Sequence, residues 1–240
     1  MKTIGLIGGM SCESSAEYYR LINQITKRTL GAHNNARSLM LTVNFQDVEP
    51  LQRAGDWDQL GKMMAQAARQ LEAGGADFVV LCTNTMHKVA PQIEAAIAIP
   101  FLHIVDATAA AIKAQGYTKV GLLATRFTME HDFYHERLHR HGLNALIPDE
   151  PDRTLVHEVI YQELCHGRVS DESRSAYLRI VGDLQARGAQ AVILGCTEIT
   201  LLIKPEDTLL PVFDATLIHA ETAVEFALGQ RADQASEAAE

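Results

Sequence analysis

The chain has no apolar run long enough to cross a bilayer, so no segment reads as a membrane span. It also has no CxxC pair: the four cysteines, Cys12, Cys82, Cys165 and Cys196, stand far apart. Without zinc-knot or disulfide spacing, they are expected as reduced thiols of a cytoplasmic protein. Basic residues are scarce. The 21 Lys and Arg against 30 Asp and Glu give a formal net charge of −9, whereas binding nucleic-acid phosphates calls for a clustered cationic excess. The opening MKTIGLIGGMSCESS holds one Lys and an apolar stretch broken by glycines, without the core or cleavage site of a secretory signal. No low-complexity block interrupts the chain. What is present is ordinary for a globular enzyme: 240 residues, 47% hydrophobic and 21% charged, enough for a substantial core in one large or two medium domains.

Short apolar runs alternate with longer amphipathic stretches, the pattern of a parallel sheet wrapped by helices. Strands are expected at 2–9, 37–45, 77–82, 100–108, 119–126, around 145–147, at 191–196 and at 209–216. Helices are expected at 14–30, 57–75, from 83 to about 98, at 107–115, 128–142, 156–167 and 173–188, and finally to about 228. The terminal QRADQASEAAE, 230–240, reads as a flexible tail.

The chain writes one segment twice. Residues 75–85, GADFVVLCTNT, and 188–198, GAQAVILGCTE, match at an offset of 113. KTIGLIGGM is similarly echoed by TKVGLLATR, and IPFLHIVDAT by LLPVFDAT. Parallel α/β units resemble one another in general, but three landmarks in one order, at offsets of 108 to 116, favour a duplication. The expected architecture is therefore two pseudosymmetric, flavodoxin-like parallel-sheet domains. The first takes 1–105 plus 208–229 and the second 106–207, with the ligand site in the cleft between them.

Loops at the carboxyl ends of parallel strands are where such folds place ligands. Four contain small hydrogen-bonding residues: GGMS (8–11), CTNT (82–85), ATR (124–126) and GCTE (195–198). The offset places Cys196 opposite Thr83, not Cys82, and successive strand side chains face opposite ways, so Cys82 is expected as support only. A helix beginning just after GCTE would present free N–H groups that favour an anion and lower a thiol pKa, so Cys196 is expected as a thiolate.

The GLIGGM, TNT (83–85) and GCTE motifs, with LLATR (122–126) and PVFD (211–214), resemble the aspartate/glutamate racemase superfamily along essentially the whole chain. The resemblance implies a cofactor-independent amino-acid racemase, an isomerase that works as a homodimer. In that family two acid/base residues flank the substrate Cα; one removes a proton and the other returns one on the opposite face. The first loop of the family is typically CNT. Here Thr83 fills the cysteine position, which resembles a Thr/Cys subset favouring L-amino acids. Carried over, Thr83 and Cys196 are the catalytic pair. Met10 and Gln46 line the pocket, and Asn84, Thr85, Thr197 and Glu198 hold the α-carboxylate and ammonium. Aspartate-specific relatives carry basic residues after the second strand and in a second-domain helix. VNFQDVEP (43–50) and IYQELCHG (160–167) lack them, leaving only Arg53 or Arg168 as substitutes. Without a guanidinium fork, broader amino-acid specificity is expected.

Other readings stand beside this one. A single-cysteine decarboxylase of the same superfamily, or a sensor that binds an amino acid without turning it over, also fits a cleft with one thiol. HERLH (135–139) matches a zinc-protease motif, but in a His-rich helix it reads more simply as a solvated face, and no metal site is expected. GLIGGM lacks the glycine spacing of a dinucleotide loop. His87, just after TNT, reads as a cap, a core partner or a group that orients the loop.

Overall fold

The computed structural model describes residues 1–230, so the tail expected at 230–240 lies, beyond Gln230, outside the described residues. The described residues divide into two compact units, Met1–His103 with 219–230, and Ile104–Ile218.

In the first unit β1 (Ile4–Gly8), α1 (Cys12–Leu30), β2 (Ser38–Thr42), α2 (Phe45–Ala54) and α3 (Trp57–Ala73) are followed by β3 (Phe78–Leu81). A 3₁₀ turn over Thr85–Val89 then leads into α4 (Ala90–Glu94), and β4 (Phe101–Leu102) closes the sheet. The four strands are parallel in the order β2-β1-β3-β4. The central strands β1 and β3 are wholly buried, which is why they read as continuous apolar runs rather than alternating ones. Helix α3 buries Leu60, Met64, Ala67, Ala68 and Leu71 at helical spacing, one apolar stripe laid on the sheet.

The second unit repeats the plan. It contains α5 (Ile104–Ala114), β5 (Lys119–Ala124), α6 (Arg126–Glu130), α7 (Asp132–Arg140), β6 (Asn144–Leu146), α8 (Asp152–Gln162), α9 (Asp171–Ala186), β7 (Ala191–Gly195), α10 (Ile199–Leu202) and β8 (Val212–Asp214). Its parallel order is β6-β5-β7-β8, the same crossover pattern as in the first unit. Helix α11 (Ala215–Ala227) starts in this unit and ends in the first.

Hydrogen bonding confirms the duplication residue by residue. Gly75 and Gly188, the helix-ending glycines of the two copies, both take left-handed backbone, with φ of 92° and 94°. The next residue closes each turn the same way: Ala76 N–H donates to the Leu71 carbonyl and Ala189 N–H to that of Leu184, each at 3.0 Å. Asp77 and Gln190 then accept, through their side chains, from backbone N–H groups at the start of β1 and β5.

Four expectations are corrected. The strand at 100–108 is only Phe101–Leu102, because β4 pairs solely with Val79 and Val80 before the chain turns into α5. The helix at 128–142 breaks at His131, whose extended backbone separates α6 from α7. The strand expected at 37–45 ends at Thr42, because Asn44 caps α2, which begins at Phe45 and carries Pro50 inside it. Residues 208–218, expected with the first domain, belong to the second unit, where β8 pairs with β7.

The loop after β1 depends on one glycine. Gly9 has φ 94°, and a Cβ there would lie 2.0 Å from the Val43 carbonyl oxygen. Its N–H donates to Ser15 Oγ at 2.8 Å, which itself donates to the Ser11 carbonyl at 2.8 Å. Gly9→Ala is therefore expected to destabilise the protein by roughly 3 kcal/mol or more, since strain and backbone overlap add. A denaturant midpoint unchanged from the parent would show that the loop is not fixed this way.

Candidate active site

At the carboxyl end of β3 the chain runs Cys82, Thr83, Asn84, Thr85 into the 3₁₀ turn. Cys82 is fully buried; its N–H donates to the Ile7 carbonyl at 2.9 Å and its own carbonyl accepts from Ser14 Oγ at 2.8 Å. Burial pushes its thiol far above the ordinary cysteine range, so it sits in the core as a neutral, inert group. Thr83 is half-buried. Its backbone is held at both ends: its N–H donates to the Leu81 carbonyl at 2.9 Å, and its carbonyl faces His87 Nδ1 at 2.8 Å. Its hydroxyl has no hydrogen-bond partner among the described residues. Asn84, Thr85 and Met10 are buried in the same unit, with Met10 packed into its apolar core.

At the carboxyl end of β7, Cys196 follows Gly195 directly. The sulfur is nearly buried, 9% exposed, and donates to Glu198 Oε2 at 3.0 Å. Burial, then the Glu198 charge and hydrogen bond, then the charge of Cys165 hold the Cys196 thiol well above its usual range. This corrects the expected thiolate. Helix α10 spans four residues and its N-terminus is too short a dipole to outweigh desolvation beside a carboxylate. The resting group is a thiol hydrogen-bonded to an acceptor. Thr197 and Glu198 are half-buried beside it. Tyr177 of α9 is buried with its hydroxyl on the Val156 carbonyl at 2.7 Å, and burial pushes its pKa up.

Strand register fixes which loop residues correspond. Gly5 pairs with Val79 in the first sheet, and its counterpart Gly121 pairs with Val192 in the second. Val79 and Val192 differ by 113 positions, the offset read from the sequence. The sheets thus equate Thr83 with Cys196 and Cys82 with Gly195.

Gln46 is exposed on the first turn of α2, where its N–H takes the Asn44 cap at 3.3 Å. The buried amide of that helix is Gln52, which donates to Met86 Sδ at 3.1 Å beside the TNT loop. The sequence reading missed Gln52 because it did not continue a helix through Pro50. The two arginines considered for a substrate carboxylate are occupied elsewhere: Arg53 pairs with Glu49 at 2.5 Å in solvent, and Arg168 donates to the Gln162 carbonyl. Arg126, at the end of β5, donates to Thr154 Oγ1 at 2.9 Å, and its N–H meets His157 Nδ1 at 3.2 Å. Burial, then the Arg126 charge, lowers the His157 pKa.

HERLH lies on α7, where His135 Nε2 is 2.6 Å from the Met129 carbonyl. No group of three His, Cys, Asp or Glu among the described residues is arranged to hold a metal. His135 and His139 instead line a surface groove of about 530 Å³ with Glu136, Arg140 and Leu143. It opens at the amino end of edge strand β6, away from the carboxyl-end loops. No described helix is long and apolar enough to cross a membrane.

Comparison with known proteins agrees with this geometry. The chain is similar to a crystal structure of an Asp/Glu racemase candidate from Yersinia pestis, 51% identical over 95% of this chain and 100% of that one, with a TM-score of 0.91. An aspartate racemase homologue from Pyrococcus horikoshii OT3 is 32% identical over 95% of this chain and 100% of its own, with a TM-score of 0.85. The broad specificity amino-acid racemase RacX of Bacillus subtilis is 22% identical over 92% of this chain and 96% of its own length. The Asp/Glu/Hydantoin racemase model matches residues 7–223, and the chain belongs to that family.

Proposed function

We propose that the protein is a cofactor-independent amino-acid racemase, working as a cytoplasmic homodimer, in which Cys196 and Thr83 handle protons on opposite faces of the substrate Cα. The observation that carries this reading is the shared sheet register, which sets the two groups at one position of a duplicated scaffold. The resting Cys196 thiol donates to Glu198. That proton must first be lost to solvent, and the thiolate then removes the α-proton of the L-enantiomer. A thiolate whose conjugate acid is weak is a strong base, so the raised pKa serves this step once the proton has moved. On the other face Thr83 Oγ–H delivers a proton to the carbanion, and water replaces the proton the hydroxyl has given up. Asn84, Thr85 and Thr197 hold the α-carboxylate and ammonium, and Met10 and Gln52, rather than the exposed Gln46, face the side chain. With Arg53 and Arg168 engaged elsewhere, the substrates are a broad set that includes aspartate and glutamate.

The two enantiomers have equal free energy in water, so kcat/KM must be the same for inversion in either direction. The inequality of the two groups can show only in α-proton exchange without inversion. A panel of L- and D-amino acids in deuterium oxide, scored separately for exchange and inversion, tests the reading. Exchange that outruns inversion from the L-enantiomer alone is expected. Equal excess exchange from both would sink the asymmetric assignment. Carbon dioxide release from an arylmalonate would indicate a lyase, and binding without exchange a sensor. The pH dependence has a definite sign. Because the Cys196 thiol titrates well above the usual range, the thiolate fraction grows about tenfold per pH unit through neutrality. L-exchange should rise from pH 7 to 9 without levelling; a plateau from pH 7 would mean a preformed thiolate.

A further inference from the structure

We infer that His87 is a positioning residue for the Thr83 hydroxyl, an inference that rests on the reading of Thr83 as the second proton-handling group. His87 belongs to a row of buried polar rings in the first unit: His87, His103, His219 and Tyr18 are 1%, 5%, 0% and 1% exposed. Its Nδ1 lies 2.8 Å from the Thr83 carbonyl, which can only accept, so Nδ1 carries the proton and donates. The ring is wedged edge-on against His103, centroids 4.5 Å apart, and against His219 at 5.8 Å. His219 is fixed at both nitrogens. Nε2 faces the Leu102 carbonyl at 2.9 Å and so bears the proton, leaving Nδ1 to accept from the Tyr18 hydroxyl at 2.9 Å. The Thr83 carbonyl is thus tied through two packed rings to α1, β4 and α11.

With the Thr83 N–H held by the Leu81 carbonyl as well, both peptide groups around Thr83 are fixed. Only χ1 remains, and a β-branched side chain leaves it few choices. The second copy has no such device. The offset of 113 puts Thr200 at the place of His87, and Thr200 Oγ1 donates to the Thr197 carbonyl at 2.7 Å. Among the described residues the Cys196 carbonyl accepts only a local N–H, from Ile199 at 3.2 Å. The difference matches the chemistry. A large, polarisable sulfur tolerates some misplacement, whereas a hydroxyl that passes a proton with water must sit within a fraction of an ångström of its line of transfer.

His87→Leu and His87→Asn in the full chain test this, since the Asn side-chain N–H can stand where Nδ1 stands. His87→Leu is expected to lower inversion by about 30- to 100-fold while L-exchange at the Cys196 face stays within about twofold, and His87→Asn to recover most of the inversion. Parallel loss of exchange and inversion, or equal rates in the Leu and Asn variants, would overturn it. Backbone amide exchange over residues 82–89 reads the anchor without turnover: faster in His87→Leu, restored in His87→Asn. An unchanged loop in His87→Leu refutes the anchor whether or not the protein racemises. An anchored loop in a wild-type protein that exchanges no amino acid refutes the racemase reading, and the catalytic half of this inference falls with it.

Discussion

Cys196→Ala is expected to lower both α-proton exchange and inversion by about 10³-fold or more, with ligand binding and fold retained. General acid–base groups contribute about 10²–10⁴-fold, and the thiol of the first copy, Cys82, cannot replace this one. Cys82 is buried behind the loop with its thiol pushed up by desolvation, and its place in the repeat is that of Gly195. Cys165 is half-buried, on the short turn Leu164–His166. Removing one small sulfur from a site that is 9% exposed leaves a modest void, so circular dichroism and the denaturant midpoint should change little. Exchange within tenfold of wild type would remove Cys196 from the chemistry and reopen the assignment of the whole loop.

Thr83→Val should separate the two half-reactions. Valine keeps the shape and the backbone anchors but removes the proton, so inversion is expected to fall by about 10²–10³-fold in both directions. L-exchange through Cys196 should persist within a few-fold, leaving an enzyme that labels the L-amino acid without inverting it. Thr83→Cys is the complementary test. It restores a thiol on each side, and excess exchange should then appear from both enantiomers. Loss of exchange together with inversion in Thr83→Val would mean that Thr83 binds the substrate rather than moving a proton.

Much of this was legible in the residues themselves. The doubled GADFVVLCTNT and GAQAVILGCTE announced two equivalent strands, and the offset of 113 that pairs Thr83 with Cys196 is the offset the sheet register shows. Strand periodicity alone was enough to demote Cys82. The GGMS loop was marked by its glycines, and the structure supplies the reason, a left-handed Gly9 pressed against Val43. Less legible were features set by neighbours distant in sequence. α2 turns Gln46 to solvent and Gln52 inward, a choice that VNFQDVEP with its proline concealed. β8 joins the second sheet because its partner is β7, and no local pattern states that partner.

The sequence by itself determined the repeat, its register and the family, because these rest on periodicity and on matches between segments of one chain. The tertiary structure decided the state of the groups at those positions. A GCTE loop read alone suggested a thiolate stabilised by a helix N-terminus. The folded chain buries that sulfur beside Glu198 and ends the helix after four residues, so desolvation and a like charge hold the proton on. A His after TNT read as any of three things; only packing against His103, His219 and Tyr18 made it the tether of Thr83. Spacing along the chain is inherited from the sequence, whereas dielectric and hydrogen-bond partners exist only once distant segments have closed around a residue.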